Sequence, residues 1–353
     1  MPESDRSDDP FTRYLDTEGN VVRPLPEFAS DRAALVRLYE AMVLTRSFDA
    51  KAIALQRTGR LGTYASSLGQ EAVSIGIADA MTPDDIFVPA FRDHGAQLMR
   101  GVTLKELFLF WGGDERGNDF AGPRGDFPVC IPVASQFPHA AGAALALVHK
   151  GIRGAAVAVA GDGATSKGDF YEAMNLVGIW RLPAVFVIAN NQWAISVPRA
   201  EQTAARTLAD KGASAGIPGL CVDGNDVIAV REVVSQALER ARDDRQPVLI
   251  ECATYRLGDH TTADDARRYR EEEEVRAHWK EEPIGRLRKH LVAAHGWSKE
   301  EEEALIRRCS AAVDRAAEEY LATGPEPPRA MFDHLYAMLP EALQPQLAEL
   351  GDG

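Results

Sequence analysis

"AAVAVAGDGATSKGDFYEAMNLVGIWRLPAVFVIANN" runs from Ala155 to Asn191. Its first six residues are an unbroken apolar run, short enough for a buried strand. "GDFYEAMNLVGIW" (168–180) has helical spacing, and "PAVFVIA" (183–189) is a second apolar run. The same order returns downstream: "GLCVDG" (219–224), the helix "VIAVREVVSQALERAR" (227–242) and the strand "PVLIECATYR" (247–256). Strands that alternate with helices predict an α/β fold, a mostly parallel sheet with helices on both faces. The turn after the first strand, "GDG", resembles a phosphate-binding turn, in which backbone N–H groups and a positive helix end face an anion. Asp162 stands between its glycines, where a bare carboxylate repels phosphate.

A metal ion resolves the conflict. In an open parallel sheet, ligands bind at the carboxyl ends of the strands. Asp162 lies just past the first strand, and "NN" (Asn190, Asn191) just past the second. One helix joins these strands, so a carboxylate and an amide oxygen converge. Hard oxygen donors in small number suit magnesium, which completes its octahedron with water and phosphate oxygens. The cation then bridges Asp162 to a diphosphate. The nucleotide patterns G-x-G-x-x-G and G-x-x-x-x-G-K-[ST] are absent at this turn. The competing reading is two unrelated tight turns, with Asp162 capping the helix; two motifs at successive strand ends favour the metal.

The rest of the chain frames this unit. Residues 31–57 and 69–81 read as helices, 86–90 as a short strand and 103–113 as a helix closed by glycines. "PVASQFPHAAGAALALVHKG" holds an Ala/Gly-rich helix suited to close packing, with exposed apolar surface expected on it. Pro283 opens a helix that Gly296 ends, and "SKEE" (298–301) is a capping box. The expected organisation is an N-terminal tail (1–30), an α/β domain (31–269) and a helical C-terminal extension (270–353). The 353 residues are 45% hydrophobic and 26% charged, as in a globular protein. A net charge of −14 argues against a nucleic-acid partner. No apolar run reaches the roughly 18 residues of a membrane span. The acidic start "MPESDRSDDP" has neither a signal core nor an Arg-rich presequence and reads as disordered. Cys130, Cys221, Cys252 and Cys309 lie far apart without C-x-x-C, as expected of reduced thiols in a cytoplasm.

G-D-G followed by N-N resembles the thiamin-diphosphate signature. The chain from about 30 to 340 resembles the alpha subunit of the first component of 2-oxo acid dehydrogenase complexes. The residues that carry this include "GRLGTYASSLGQEA" (59–72), "FRDHG" (91–95), "QWAISVPRAEQTAARTLADKGASAGIPG" (192–219), "VDGNDV" (222–227) and "YRLGDHTTADDARRYR" (255–270). The resemblance implies the thiamin-diphosphate-binding fold, with thiamin diphosphate and magnesium as cofactors. Asp162 and Asn191 resemble the side-chain magnesium ligands, and the carbonyl of Trp193 a third. Gly161, Gly163 and Ala164 approach the diphosphate through backbone. Arg92 resembles an arginine that contacts a phosphate. Phe91 stands where the family usually has Tyr, so one hydroxyl contact is missing. Val133 resembles the apolar residue beside the pyrimidine ring. "PVASQ" resembles a segment that binds potassium in some members, with Ser135 and Gln136 as oxygen donors. Ala189 replaces an Arg or Glu found before N-N in some members.

His260, in "GDHTTADD", resembles an active-site histidine. Near-neutral titration lets such a group donate or shuttle a proton. The expected reaction is oxidative decarboxylation of pyruvate, with acyl transfer to lipoamide; branched-chain 2-oxo acids are the alternative substrate. The glutamate that activates thiamin comes, in this family, from a beta subunit. Partners implied are that subunit, in an alpha2-beta2 heterotetramer, and a lipoyl-bearing acyltransferase. Glu71 is the internal substitute, but it reads better as a helix-starting carboxylate. A non-catalytic cofactor-binding scaffold and a metal-dependent phosphoryl-transfer enzyme are the readings from other classes. His94 and His139 are candidates to line the site. His149, His278, His290 and His295 read as surface residues, and "EEEE" (271–274) as a solvated helix face.

Overall fold

The computed structural model describes residues 9–333 and 335–350. Five parallel strands form the sheet: β1 (Ile86–Val88), β2 (Ala156–Gly161), β3 (Ala184–Asn190), β6 (Gly219–Asp223) and β7 (Val248–Ala253), in the order β1-β2-β3-β7-β6. A two-residue hairpin, β4 (Trp193–Ala194) with β5 (Val197–Pro198), sits apart from it. β2 and β3 are neighbours, with Gly161 opposite Ala189, so G-D-G and N-N leave the sheet side by side.

Period-two alternation explains how each strand serves two cores. Ala156, Ala158 and Ala160 of β2, with Phe186 and Ile188 of β3, face one cluster. It includes α5 (Gln136–Lys150) and α6 (Gly168–Trp180). Val157, Val159, Val185 and Val187 face the other, which holds α2 (Glu71–Ala80) and α8 (Val227–Asp244). The alanines of β2 meet Ala140, Ala141 and Ala144 of α5, so small side chains on both surfaces let helix and sheet approach closely. Gly76 does the same for α2 against α8; a Cβ there lies 2.7 Å from Val230 Cγ1.

The outer helices close the fold. α1 (Arg32–Arg57), whose first turn is capped by Asp31, packs on α10 (Pro283–His295) and α11 (Lys299–Leu321). These helices share one apolar cluster through Leu35, Leu38, Leu291 and Leu305. The helical C-terminal portion thus packs against the first helix of the α/β unit. The chain also forms α3 (His94–Arg100), α4 (Leu104–Trp111), a helical turn α7 (Arg199–Gln202) and α9 (Glu272–His278).

The segment expected to be a tail behaves differently from Asp9 onward; residues 1–8 lie outside the described residues. Thr12 forms a parallel bridge to Val222 on the edge strand β6. Asp226 explains the docking. One carboxylate oxygen caps α8 at Ile228 N and Ala229 N, and the other accepts Tyr14 N (2.7 Å) and Leu15 N (2.8 Å).

Candidate active site

The site opens at the carboxyl ends of β2 and β3. G-D-G is not at the helix terminus itself. A 3₁₀ turn over Asp162–Ser166 intervenes, and α6 starts at Gly168. Phe91, Arg92, Val133, Gly161, Asp162, Gly163, Ala164, Asn191, Trp193 and His260 all line one cavity of about 330 Å3. They come from segments far apart in sequence, and the structure brings them together.

Backbone strain gathers here. Among the described residues, Ala134, Gln192 and Ile195 are non-glycine residues with positive φ (75°, 72° and 57°) that flank this cavity. Such conformations cost of order 1–3 kcal/mol each and persist where packing over-determines them.

Asp162 is 1% exposed and accepts a hydrogen bond from Gln202 Nε2 at 2.6 Å. Burial raises its pKa above the ordinary carboxylate range. Asn191 is oriented by its amide: Nδ2 donates to Gln70 Oε1 at 3.0 Å, which leaves Oδ1 toward Trp193 N. The Trp193 carbonyl accepts from Arg256 Nη1 at 3.1 Å and keeps one lone pair. Among the described residues, no group of three or more His, Cys, Asp or Glu gathers to hold a metal. Of the residues that line the cavity, Asp162, Asn191 and Trp193 could instead offer one carboxylate, one amide oxygen and one carbonyl, which are hard ligands of the kind magnesium takes. A buried carboxylate without a cation in contact suits that ion. Gly161 adds a second point of fit. A Cβ there meets nothing within 4 Å, so the glycine leaves room in the cavity for a ligand beside the backbone. Gln70 Nε2, buried at the cavity wall, has no partner.

Two guanidinium groups flank His260. Arg92 Nη2 lies 2.9 Å from His260 Nδ1 and donates to the His260 carbonyl at 2.5 Å. Arg256 Nη1 lies 3.5 Å from the same Nδ1. Guanidinium only donates, so Nδ1 accepts and the hydrogen sits on Nε2. Burial, then Arg92 and Arg256, push the His260 pKa down to about 4. The near-neutral titration expected from its sequence context gives way to a neutral imidazole that donates from Nε2. Arg92 is itself lowered to about 10, by burial and then by Arg256. Phe91 packs edge-on to His260 with ring centroids 6.1 Å apart, and the Arg92 guanidinium lies over the Phe91 ring. An aromatic ring without a hydroxyl still serves to support both groups.

Other expectations meet the structure as follows. Glu71 is fully buried, pairs with Arg46 Nε at 2.7 Å and accepts Gly69 N, away from the cavity. His94 is buried between Tyr64 and Trp111 and does not line the cavity. His139 is exposed and stacks on Phe127. His290 is buried rather than surface, with Nδ1 3.2 Å from the Gly19 carbonyl, because the docked N-terminal segment covers it. Within "EEEE", Glu274 accepts from Tyr255 Oη (2.8 Å) and Trp193 Nε1 (3.3 Å), so one member of the run is tied to the site. In "PVASQ", Ser135 Oγ donates to the Pro132 carbonyl and Gln136 Nε2 to the Cys130 carbonyl.

Arg256, Gln70 and Gln202 escaped the residue-by-residue reading. Arg256 is fully buried and ties Trp193 O, Ile195 O (2.8 Å) and Tyr269 Oη (2.9 Å) together. Its signal was its place four residues before His260. The two glutamines, Gln70 at the N-cap of α2 and Gln202 at the end of α7, gave none, because a lone amide has no distinguishing pattern.

The sequence matches the family described as "Dehydrogenase E1 component" over residues 39–328. It is 39% identical over 339 residues to the pyruvate dehydrogenase E1 component subunit alpha of Staphylococcus epidermidis, covering 95% of this chain and 91% of the relative. The protein of the same description from Staphylococcus aureus gives the same identity and coverage. A parallel sheet with G-D-G and N-N at adjacent strand ends, a matched stretch of most of the chain and this level of identity agree: the chain belongs to the dehydrogenase E1 component family.

Proposed function

We propose that this protein is the alpha subunit of a pyruvate dehydrogenase, acting on pyruvate with thiamin diphosphate and magnesium and passing the acyl group to lipoamide. The observation that supports this most is the convergence of the signature residues on one cavity at the ends of β2 and β3. Thiamin diphosphate, when bound, supplies the nucleophilic carbon and the electron sink for decarboxylation of a 2-oxo acid. Asp162, Asn191 Oδ1 and the Trp193 carbonyl would hold magnesium, and Arg92 would donate to a phosphate oxygen. Gly161, Gly163 and Ala164 would let backbone approach the diphosphate. Val133, Phe91 and Ile195 would give the reacting end an apolar wall. His260 Nε2–H is a neutral donor placed for the reacting oxygen or carboxylate, and the cationic pair behind it favours an anionic substrate. A beta subunit would complete the site in an alpha2-beta2 assembly, and a lipoyl-bearing acyltransferase would take the acyl group. The sheet of the described residues would supply the diphosphate half. No described helix is long and apolar enough to cross a membrane, and all four cysteines are free, which fits a cytoplasmic place.

Branched-chain 2-oxo acids remain a second reading, because Val133 and Ile195 are both about half exposed at the cavity mouth and tolerate an apolar side chain there. Carbon dioxide release from pyruvate and from 3-methyl-2-oxobutanoate, with and without a beta subunit, tests both. Turnover of pyruvate by the pair, and none by this chain alone, is the expected result. Preference for the branched acid would reverse the substrate, and turnover by a verified single chain would refute the partner.

A further inference from the structure

Arg92 carries a charge that no carboxylate touches. Its guanidinium donates from Nη1 to the Ser66 carbonyl at 2.6 Å and from Nη2 to the His260 carbonyl. Arg256, close enough to reach the same imidazole, repels it. The attraction that opposes this comes first from Asp49 on α1.

Asp49 is buried and has no cation in contact. It collects donors instead. Tyr64 Oη donates to Oδ1, while Ser66 Oγ (2.7 Å), Ser67 N (2.9 Å) and Ser67 Oγ (3.1 Å) donate to Oδ2. The direction of these bonds is fixed from both ends. Trp111 Nε1 donates to His94 Nε2 at 2.9 Å, so the His94 hydrogen is on Nδ1, facing Tyr64 Oη. Leu68 N donates to Ser66 Oγ, so the Ser66 hydroxyl hydrogen is free for Asp49. Every donor on both paths runs toward Asp49. The carboxylate thereby clamps the Ser66–Ser67 turn, and that turn aims the Ser66 carbonyl at Arg92.

We infer that Asp49 is a positioning residue for Arg92, acting through the Ser66 carbonyl to hold the guanidinium at the anion-binding end of the cavity. The inference rests on the reading of Arg92 as a diphosphate contact. Asp49 itself touches neither the cavity nor His260. Burial lifts its pKa to about 6, which still leaves it mostly ionised at pH 7.5.

The geometry separates charge from anchorage. In Asp49→Asn, the amide oxygen takes the Oδ2 position and keeps the Ser66 and Ser67 bonds, while the amide nitrogen faces Tyr64 Oη and reverses that bond. In Asp49→Ala the whole clamp goes. Calorimetry on the full-length chain, with thiamin diphosphate and, separately, inorganic pyrophosphate, each with magnesium, reads the effect. Asp49→Ala is expected to bind both probes about tenfold more weakly, and Asp49→Asn within about twofold of the parent chain. Asp49→Ala combined with Arg92→Gln is expected to bind no more weakly than Arg92→Gln alone. Circular dichroism monitors folding; if Asp49→Ala does not fold, Ser66→Ala, which removes one arm of the clamp, takes its place with the same non-additivity expected. Wild-type affinity in a folded Asp49→Ala or Ser66→Ala, or a loss that adds in full to that of Arg92→Gln, overturns the role of Asp49. Unchanged affinity in Arg92→Gln alone overturns instead the reading of Arg92 on which it stands.

Discussion

At the residue scale, Asp162 and His260 show how burial sets a group's task. Asp162 is a buried carboxylate whose side chain accepts from the Gln202 amide, with backbone donors beside it. Its ionised form is costly until a cation arrives. Asp162→Asn should therefore fold with an unchanged or higher Tm in the ligand-free chain. It should lose magnesium-dependent binding of thiamin diphosphate by about a hundredfold or more, on the scale of removing a charged metal ligand. Unchanged affinity by calorimetry would remove Asp162 from the proposed metal site. His260 gives a pH prediction. Its folded pKa is depressed to about 4 from 6.5, so the unfolded chain binds more protons between those values. The contribution of the neutral imidazole to stability is present above pH 6.5 and is lost as the pH falls toward 4. A histidine-resolved NMR titration should find this ring neutral at pH 5.5; an imidazolium there would contradict the two-guanidinium geometry. Asp162 and His260 were legible in the sequence as candidates, since their motifs are distinctive, and both line the cavity. The direction of the His260 shift was not, because Arg92 lies 168 residues away.

At the element scale, boundaries were legible where chemistry punctuates the chain. α6 spans Gly168–Trp180 as its pattern predicts, and α10 begins at Pro283 and ends on the left-handed Gly296. α11 starts with the predicted capping box, Ser298 accepting Glu301 N while the Glu301 side chain accepts Ser298 N. Ser298→Ala should cost about 1 kcal/mol. Thermal unfolding should show the drop, while cofactor affinity stays unchanged because the cap is remote from the cavity. A drop in affinity would mean that α11 helps to shape the site. The 3₁₀ turn after β2 was missed, since "DGATS" has neither a helical stripe nor a cap signal. The docked segment from Asp9 was missed for a related reason: it has little periodicity of its own, and its anchor, Asp226, lies more than 200 residues away.

At the scale of the whole molecule, apolar surface was expected on the Ala/Gly-rich helix but lies elsewhere. α5 turns its alanines inward against β2. Ile179 and Trp180, at the end of α6, are 68% and 54% exposed, and Ile131 and Val133 are exposed beside the cavity. A partner subunit that covers Ile131 and Val133 would close the cavity mouth, and one that covers Ile179 and Trp180, where α6 leads into the amino end of β3, would remove that apolar surface from water. Trp180→Asp should leave the isolated chain folded and able to bind magnesium and thiamin diphosphate, yet weaken assembly with a beta subunit. Sedimentation of the mixed subunits checks this; intact assembly would place the interface on another face.

The sequence by itself determined the parallel order of strands and helices, the pairing of G-D-G with N-N, and the identity of the metal, phosphate and histidine candidates. Each of these depends on local pattern: strand and helix periodicity, short turns and residue chemistry at fixed spacing. Only the tertiary structure decided which charges face one another. Arg92, Arg256 and His260 meet because a loop after β7 folds over the turn after β1, and Asp49 enters from α1. Electrostatic shifts depend on distance and burial in three dimensions, and neither quantity is written in the spacing of residues along the chain.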